Sequence, residues 1–146
     1  MASSAIPGYG TLLKMGDGAG TAEAFTTIAE VGDIAGPGFS VDTNDVTSHD
    51  STGAMREFKP GLIDPGETSF PIWFQPDAAT HDATTGLLSV MNARAIRNWK
   101  MIFPNAALSE AAFAAMITKF DVKGPVAGVI SADITLKISG PITWTE

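Results

Sequence analysis

Between Ile130 and Ser139 the chain alternates without a break. Ile130, Ala132, Ile134, Leu136 and Ile138 are separated by Ser131, Asp133, Thr135, Lys137 and Ser139. Successive side chains of a strand point to opposite faces, so this segment sets one face in a core and the other in water. That pattern commits the C-terminal part of the chain to sheet.

Other strand signals precede it. Phe25–Val31 and Phe39–Thr43 flank a turn at Gly32-Asp33 and Gly36-Pro37-Gly38. Phe70, Ile72 and Phe74 alternate with Ser69, Pro71, Trp73 and Gln75, and Pro71 points to a sheet edge or a bulge. Ile96–Phe103 and Met116–Val122 complete the set. One helix is expected over His81–Ala93, with Thr80 as its cap, Asp82 at its positive end and Leu87, Leu88 and Met91 as its apolar stripe. Ser109–Ala115 reads as a short helix or a turn. The sum is a mainly β chain, a β-sandwich or half-barrel with one flanking α-helix.

Two stretches contribute little to a core. Residues 1–22 are small and glycine-rich and read as an extended arm. From about residue 44 to 66 a long polar run is closed by Pro60-Gly61 and Pro65-Gly66. A compact domain rarely keeps a loop of about 15 residues without a use for it. It reads as a contact arm for assembly.

At 146 residues the chain reads as a single domain, able to bury about 70% of its unfolded surface. It contains no cysteine, which removes disulfides and thiolate metal sites. The N-terminus lacks the pattern of an export signal, and no apolar run approaches the roughly 20 residues of a membrane span. A soluble product made in the cytosol is expected. Residues 1–55 hold seven acids against Lys14, while residues 56–146 are nearly balanced, within a net charge of −7. Tight grip on nucleic acid normally requires a basic stripe, which this composition does not announce.

Candidates for chemistry are thin. His49-Asp50-Ser51 brings together the letters of a nucleophilic triad, but adjacent side chains of an extended segment point apart. His81, Asp82 and Asp77 lack metal-ligand spacing, and His81 reads as a surface or capping residue. Gly16-Asp17-Gly18-Ala19-Gly20-Thr21 lacks the lysine of a phosphate cradle. Asp42, Asp45 and Asp50 do not fit a calcium loop. Asp64 and Glu67 sit in a tight turn. No enzyme, cofactor or metal signature emerges. An assembly subunit, a binding module and, last, an enzyme stay open on these residues.

Taken in order, several short strings resemble the major tail tube protein of long-tailed, non-contractile phages. They are Gly8-Tyr9-Gly10-Thr11, Phe25–Val31, Ile34…Gly36-Pro37-Gly38, Asp45–Ser51, Arg56-Glu57-Phe58 and Asp64-Pro65-Gly66-Glu67. Thr118-Lys119-Phe120 and Ile134–Pro141 follow near the end. The likeness runs from about residue 8 to 142.

The resemblance implies a structural virion protein that polymerises as stacked hexameric rings. One sheet of each copy would join its neighbours in a continuous β-barrel around a lumen that conducts double-stranded DNA. It implies inter-ring contacts through Asp45, Thr47, Ser48, His49, Asp50, Ser51 and Arg56, and through Tyr9, Thr11 and Leu12 of the arm. Asp133 and Lys137 are candidates to face the lumen, where acidic charge would let DNA slide. Implied partners are further copies of the chain, the tape measure protein, the tip complex and the tail terminator. No C-terminal immunoglobulin-like domain is expected. A tail terminator, an injection-device tube subunit or a β-sandwich module for a host-surface ligand are the alternatives.

Overall fold

The computed structural model describes residues 2–146. The chain forms β1 (Leu12–Gly16), β2 (Phe25–Thr27), β3 (Ser40–Asp45), β4 (Phe58–Asp64), β5 (Glu67–Trp73), α1 (Leu87–Ala93), β6 (Arg97–Ile102), β7 (Glu110–Lys123) and β8 (Ser131–Thr145). Six strands make one antiparallel sheet in the order β2-β1-β6-β7-β8-β5, and β3 pairs with β4 as a separate ribbon.

The alternation of β8 is realised as expected. Ala132, Ile134, Leu136 and Ile138 are buried, whereas Ile130 lies just before the strand and is half-exposed. The same period runs through β7, where Ala111, Phe113, Ala115 and Ile117 are buried. Ser109–Ala115 is therefore neither helix nor turn: Ser109 lies just before a 14-residue strand and Glu110–Ala115 begin it. Ladders to β6 and β8 on both sides outweigh the helical preference of its alanines.

Core-facing side chains from both ends of the sheet meet in one cluster. Leu13, Trp99 and Met101 come from one side, Phe70, Ile72 and Ile134 from the other, and α1 adds Leu87 and Val90. Trp99 is fully buried and donates its indole N–H to the Ala115 carbonyl at 3.3 Å. Removing a fully buried large side chain such as Leu136 from this cluster costs about 2–5 kcal/mol.

Further expectations are corrected by the structure. The arm expected over residues 1–22 contains β1, which pairs with both β2 and β6 and buries Leu13 and Met15. Only its flanks are unpacked. The strand expected over Phe25–Val31 stops at Thr27, and Glu30 turns the chain at φ 56°. Residues 30–35 then cross to the outer edge of β5. There Gly32 and Ala35 donate to the Pro71 and Ser69 carbonyls at 2.8 Å, and Trp73 donates to Glu30. Pro71 stands on that edge, and β5 ends the sheet, so its missing N–H leaves the β8 ladder intact.

The helix begins at Leu87 rather than His81, and Thr80 does not cap it. Instead the Asp82 carboxylate accepts from the amides of Thr84, Thr85 and Gly86 and from the Thr85 hydroxyl, which builds a tight turn ahead of the helix. A side chain on Gly86 would sit 2.5 Å from the His81 and Asp82 amide nitrogens, so only glycine fits. His81 is not a surface residue; it is fully buried.

Candidate assembly surfaces

The polar run of the sequence is a hairpin arm. β3 and β4 pair from Ser40↔Asp64 to Asp45↔Phe58, with Gly61 and Leu62 bulged opposite Asp42. Strand parity places Val41, Thr43 and Asp45 with Ile63, Pro60 and Phe58 on one face, apolar but for Thr43 and Asp45, and Ser40, Asp42 and Asn44 with Lys59 and Asp64 on the other. The apolar face is uncovered, with Val41 49%, Phe58 54% and Ile63 63% exposed, and Leu62 beside it 83% exposed. A lone two-stranded ribbon is marginal in water, and an apolar patch of this kind marks a contact surface.

Its tip holds the seven residues singled out from the sequence. Asp45 closes β3 and accepts from the Thr47 amide at 2.9 Å. The Thr47 hydroxyl accepts from the Glu57 amide at 2.8 Å. Ser51 donates to the Glu57 carboxylate at 2.8 Å and accepts from the Ser48 amide at 3.0 Å. Arg56 reaches Asp45 at 3.8 Å, an exposed pair of small worth. His49 and Asp50 are exposed at the turn. Ser51 is thus occupied by the loop rather than by His49, and the triad letters form no triad. The tip is an ordered, self-bonded polar loop.

The base of the arm is tied to the sheet. Asp64 accepts from the Gly66 amide at 2.9 Å and meets the Lys137 ammonium at 3.5 Å. The Gly66 hydrogen bond first, then the Lys137 charge, hold the Asp64 carboxyl below the usual carboxylate range. Before β1, Tyr9 is 96% exposed, Thr11 bonds back to the Gly8 carbonyl, and Leu12 enters the sheet opposite Ile102. Among the described residues no hydrogen bond or ion pair joins Tyr9, Thr11 or Leu12 to the hairpin tip.

The sequence reading centred on polar residues and passed over the apolar ones. Val41 and Ile63 carry the signal, an apolar pair framing a polar run. Their proximity to glycine and proline hid it.

Opposite the core, the sheet has an open face. Register and parity place Lys14, Lys100, Lys119, Lys123 and Lys137 there, with Glu67, Glu110, Asp121 and Asp133. Asp133 and Lys137 therefore both stand on the polar face, as the alternation required. Asp133 bonds to Lys123 at 2.6 Å, and that hydrogen bond holds its carboxyl below its ordinary value. Lys100 pairs with Glu110 at 3.6 Å and lies 4.4 Å above the Phe25 ring. Five of the six lysines share this face with those four strand carboxylates, and Asp64 against Lys137 and Glu23 against Asn98 add two more at its edges, so the face is nearly balanced and most of the net charge of −7 is carried elsewhere. Among the described residues no three His, Asp or Glu side chains gather as a metal site, and no helix is long and apolar enough to cross a membrane.

Residues 15–145 match the family described as lambda phage tail tube protein. The chain belongs to the lambda phage tail tube protein family. Comparison with curated proteins gives no match. Among solved structures, the chain is similar to a subunit in the tail of an empty gene transfer agent particle refined with C6 symmetry. The two share 26% identity and a TM-score of 0.78, over 97% of this chain and 100% of that one. A chain of the native gene transfer agent virion matches at 24% identity and a TM-score of 0.77, with the same coverage. The tail tube protein of phage SPP1 shares the fold at 12% identity and a TM-score of 0.71, over 96% of this chain and 78% of that one. As a tail tube protein, the chain is a structural subunit of the virion tail that associates with copies of itself.

Proposed function

We propose that this tail tube protein forms hexameric rings that stack into the conduit for double-stranded DNA during ejection. The observation that carries the reading is the hairpin arm, whose face of Val41, Phe58 and Ile63 is left about half-exposed or more in one copy. The C6 symmetry of the gene transfer agent tail supports six copies per ring.

In this reading the hairpin, with Asp45–Ser51 and Arg56 at its tip, reaches the next ring. The arm around Tyr9, Thr11 and Leu12 contacts a neighbouring copy. The open face of the sheet, with Asp133 and Lys137, turns to the lumen. Near-balance of charge there keeps the field over the face small, so DNA passes without adhering. The lumen is then not acidic, as the chain's overall charge had suggested. The tape measure protein, the tip complex and the terminator are the further partners, and synthesis takes place in the host cytoplasm.

Negative-stain microscopy of the concentrated protein, beside its elution mass when fresh, tests the reading. Hollow tubes or stacked six-fold rings are expected. A compact dimer with no higher species would overturn it.

A further inference from the structure

The long strands β7 and β8 divide the sheet into two parts. In the first, β2, β1, β6, the start of β7 and the end of β8 lie side by side. In the second, the start of β8 runs between β5 and the end of β7. β5 pairs with β8 only from Ser131 to Lys137, and Ile138 donates to the Gly66 carbonyl. Beyond that point the outer edge of β8 has no strand beside it among the described residues. The outer edge of β2 is equally bare, while residues 30–35 cover the outer edge of β5. The first part alone therefore ends in a free edge on both sides.

From these edges we infer that the ring closes by pairing the end of β8 (Ile142–Thr145) with β2 (Phe25–Thr27) of a second copy of this chain. The inference rests on the ring reading above and names its junction. An unpaired edge is a template for another strand, and closure removes it. A head-to-tail contact of unlike edges closes by rotation.

A second observation lies beside the first. Trp144 stands at the free edge, stacked on Phe103 with ring centroids 6.1 Å apart, yet half of it is exposed. Its register with Ala111 sets it on the core side of the sheet, the side on which Thr26 lies opposite Met15. The adjoining edge of a neighbour would cover it. Gly140 and Pro141 form a bulge that interrupts the ladder just before this segment, leaving Ile142–Thr145 as the regular stretch open to pairing.

Strand direction makes the junction specific. β2 and β8 run the same way in the antiparallel order of the sheet, and rotation about a ring axis preserves direction along that axis. The new pair is parallel, unlike every ladder within the subunit.

The chain contains no cysteine, so introduced thiols report without background. Thr27→Cys is combined in turn with Ser139→Cys, Thr143→Cys and Thr145→Cys, all on the open face and exposed or half-exposed. Tubes are formed, checked by microscopy, oxidised and run on a non-reducing gel. A covalent ladder ending at six copies is expected from at least one pair and from none of the four single variants. Normal tubes with no ladder from any pair would overturn the junction and leave the tube reading standing. Variants and parent that stay monomeric, with no tubes at any concentration, would overturn both.

Discussion

Val41 and Ile63 lie directly opposite each other across the β3–β4 ribbon, and about half or more of each side chain is left exposed by its own subunit. Burying the exposed part of such a pair in an adjoining copy is worth about 1–2 kcal/mol per side chain. Nothing in the folded monomer depends on it.

Ile63→Asp is therefore expected to leave a soluble, folded monomer that forms no tubes. Deletion of Thr47–Ala54 should do the same by removing the tip. Circular dichroism would report the fold and microscopy the assembly. Long tubes from either variant would show that the ribbon is not the contact.

His81 joins segments that are distant in sequence. The Gln75 amide donates to its Nδ1 at 3.2 Å, so the proton resides on Nε2, which donates to the Ala29 carbonyl at 2.8 Å. The ring also stacks beside Phe74. His81→Phe keeps the ring but removes both hydrogen bonds to partly buried backbone groups, at about 0.5–1.5 kcal/mol each. Urea unfolding should show a loss of that order. A variant as stable as the parent would mean that these groups find other partners.

Some of this was legible in the sequence and some was not. The β8 alternation placed Asp133 and Lys137 on the open face and Leu136 in the core, because period two leaves no other arrangement for a half-buried strand. The β7 alternation was as regular, but alanines at Ala111 and Ala115 lower its hydrophobic contrast and mimic a helix. β1 escaped notice because Leu12–Gly16 is a five-residue strand between glycine-rich flanks, stabilised by two neighbours that lie remote in the chain. His81 was misjudged for a related reason. Its partners at Ala29 and Gln75 are set by tertiary structure, and no local pattern encodes them.

Asp82 should give the fold an acid-sensitive element. Its carboxyl is held below the usual range chiefly by the Thr85 amide, with those of Gly86 and Thr84. A carboxyl depressed in the folded state stabilises it above the unfolded pKa, near 3.9, and that contribution fades as pH falls through the folded value. Asp82→Ala should thus lower the thermal midpoint at pH 7 and converge on the parent only as the pH falls below the usual carboxylate range. A deficit that stays constant with pH would assign the loss to turn geometry instead of charge.

The open face offers the most direct test of which wall lines the lumen. Lys14, Lys100, Lys119, Lys123 and Lys137 stand on it, while Lys59 lies on the hairpin. In the monomer all six amines should react with an acylating reagent tethered to a bulky polymer. A lumen admits no such polymer, so assembly is expected to reduce labelling at the five sheet lysines to background, read site by site by mass spectrometry. A small untethered acylating agent, which diffuses in from the tube ends, should still modify them. Continued polymer labelling of Lys123 and Lys137 in intact tubes would put the β5 side of the face on the outer wall. It would withdraw Asp133 and Lys137 from the lumen and leave Lys14 and Lys100 there.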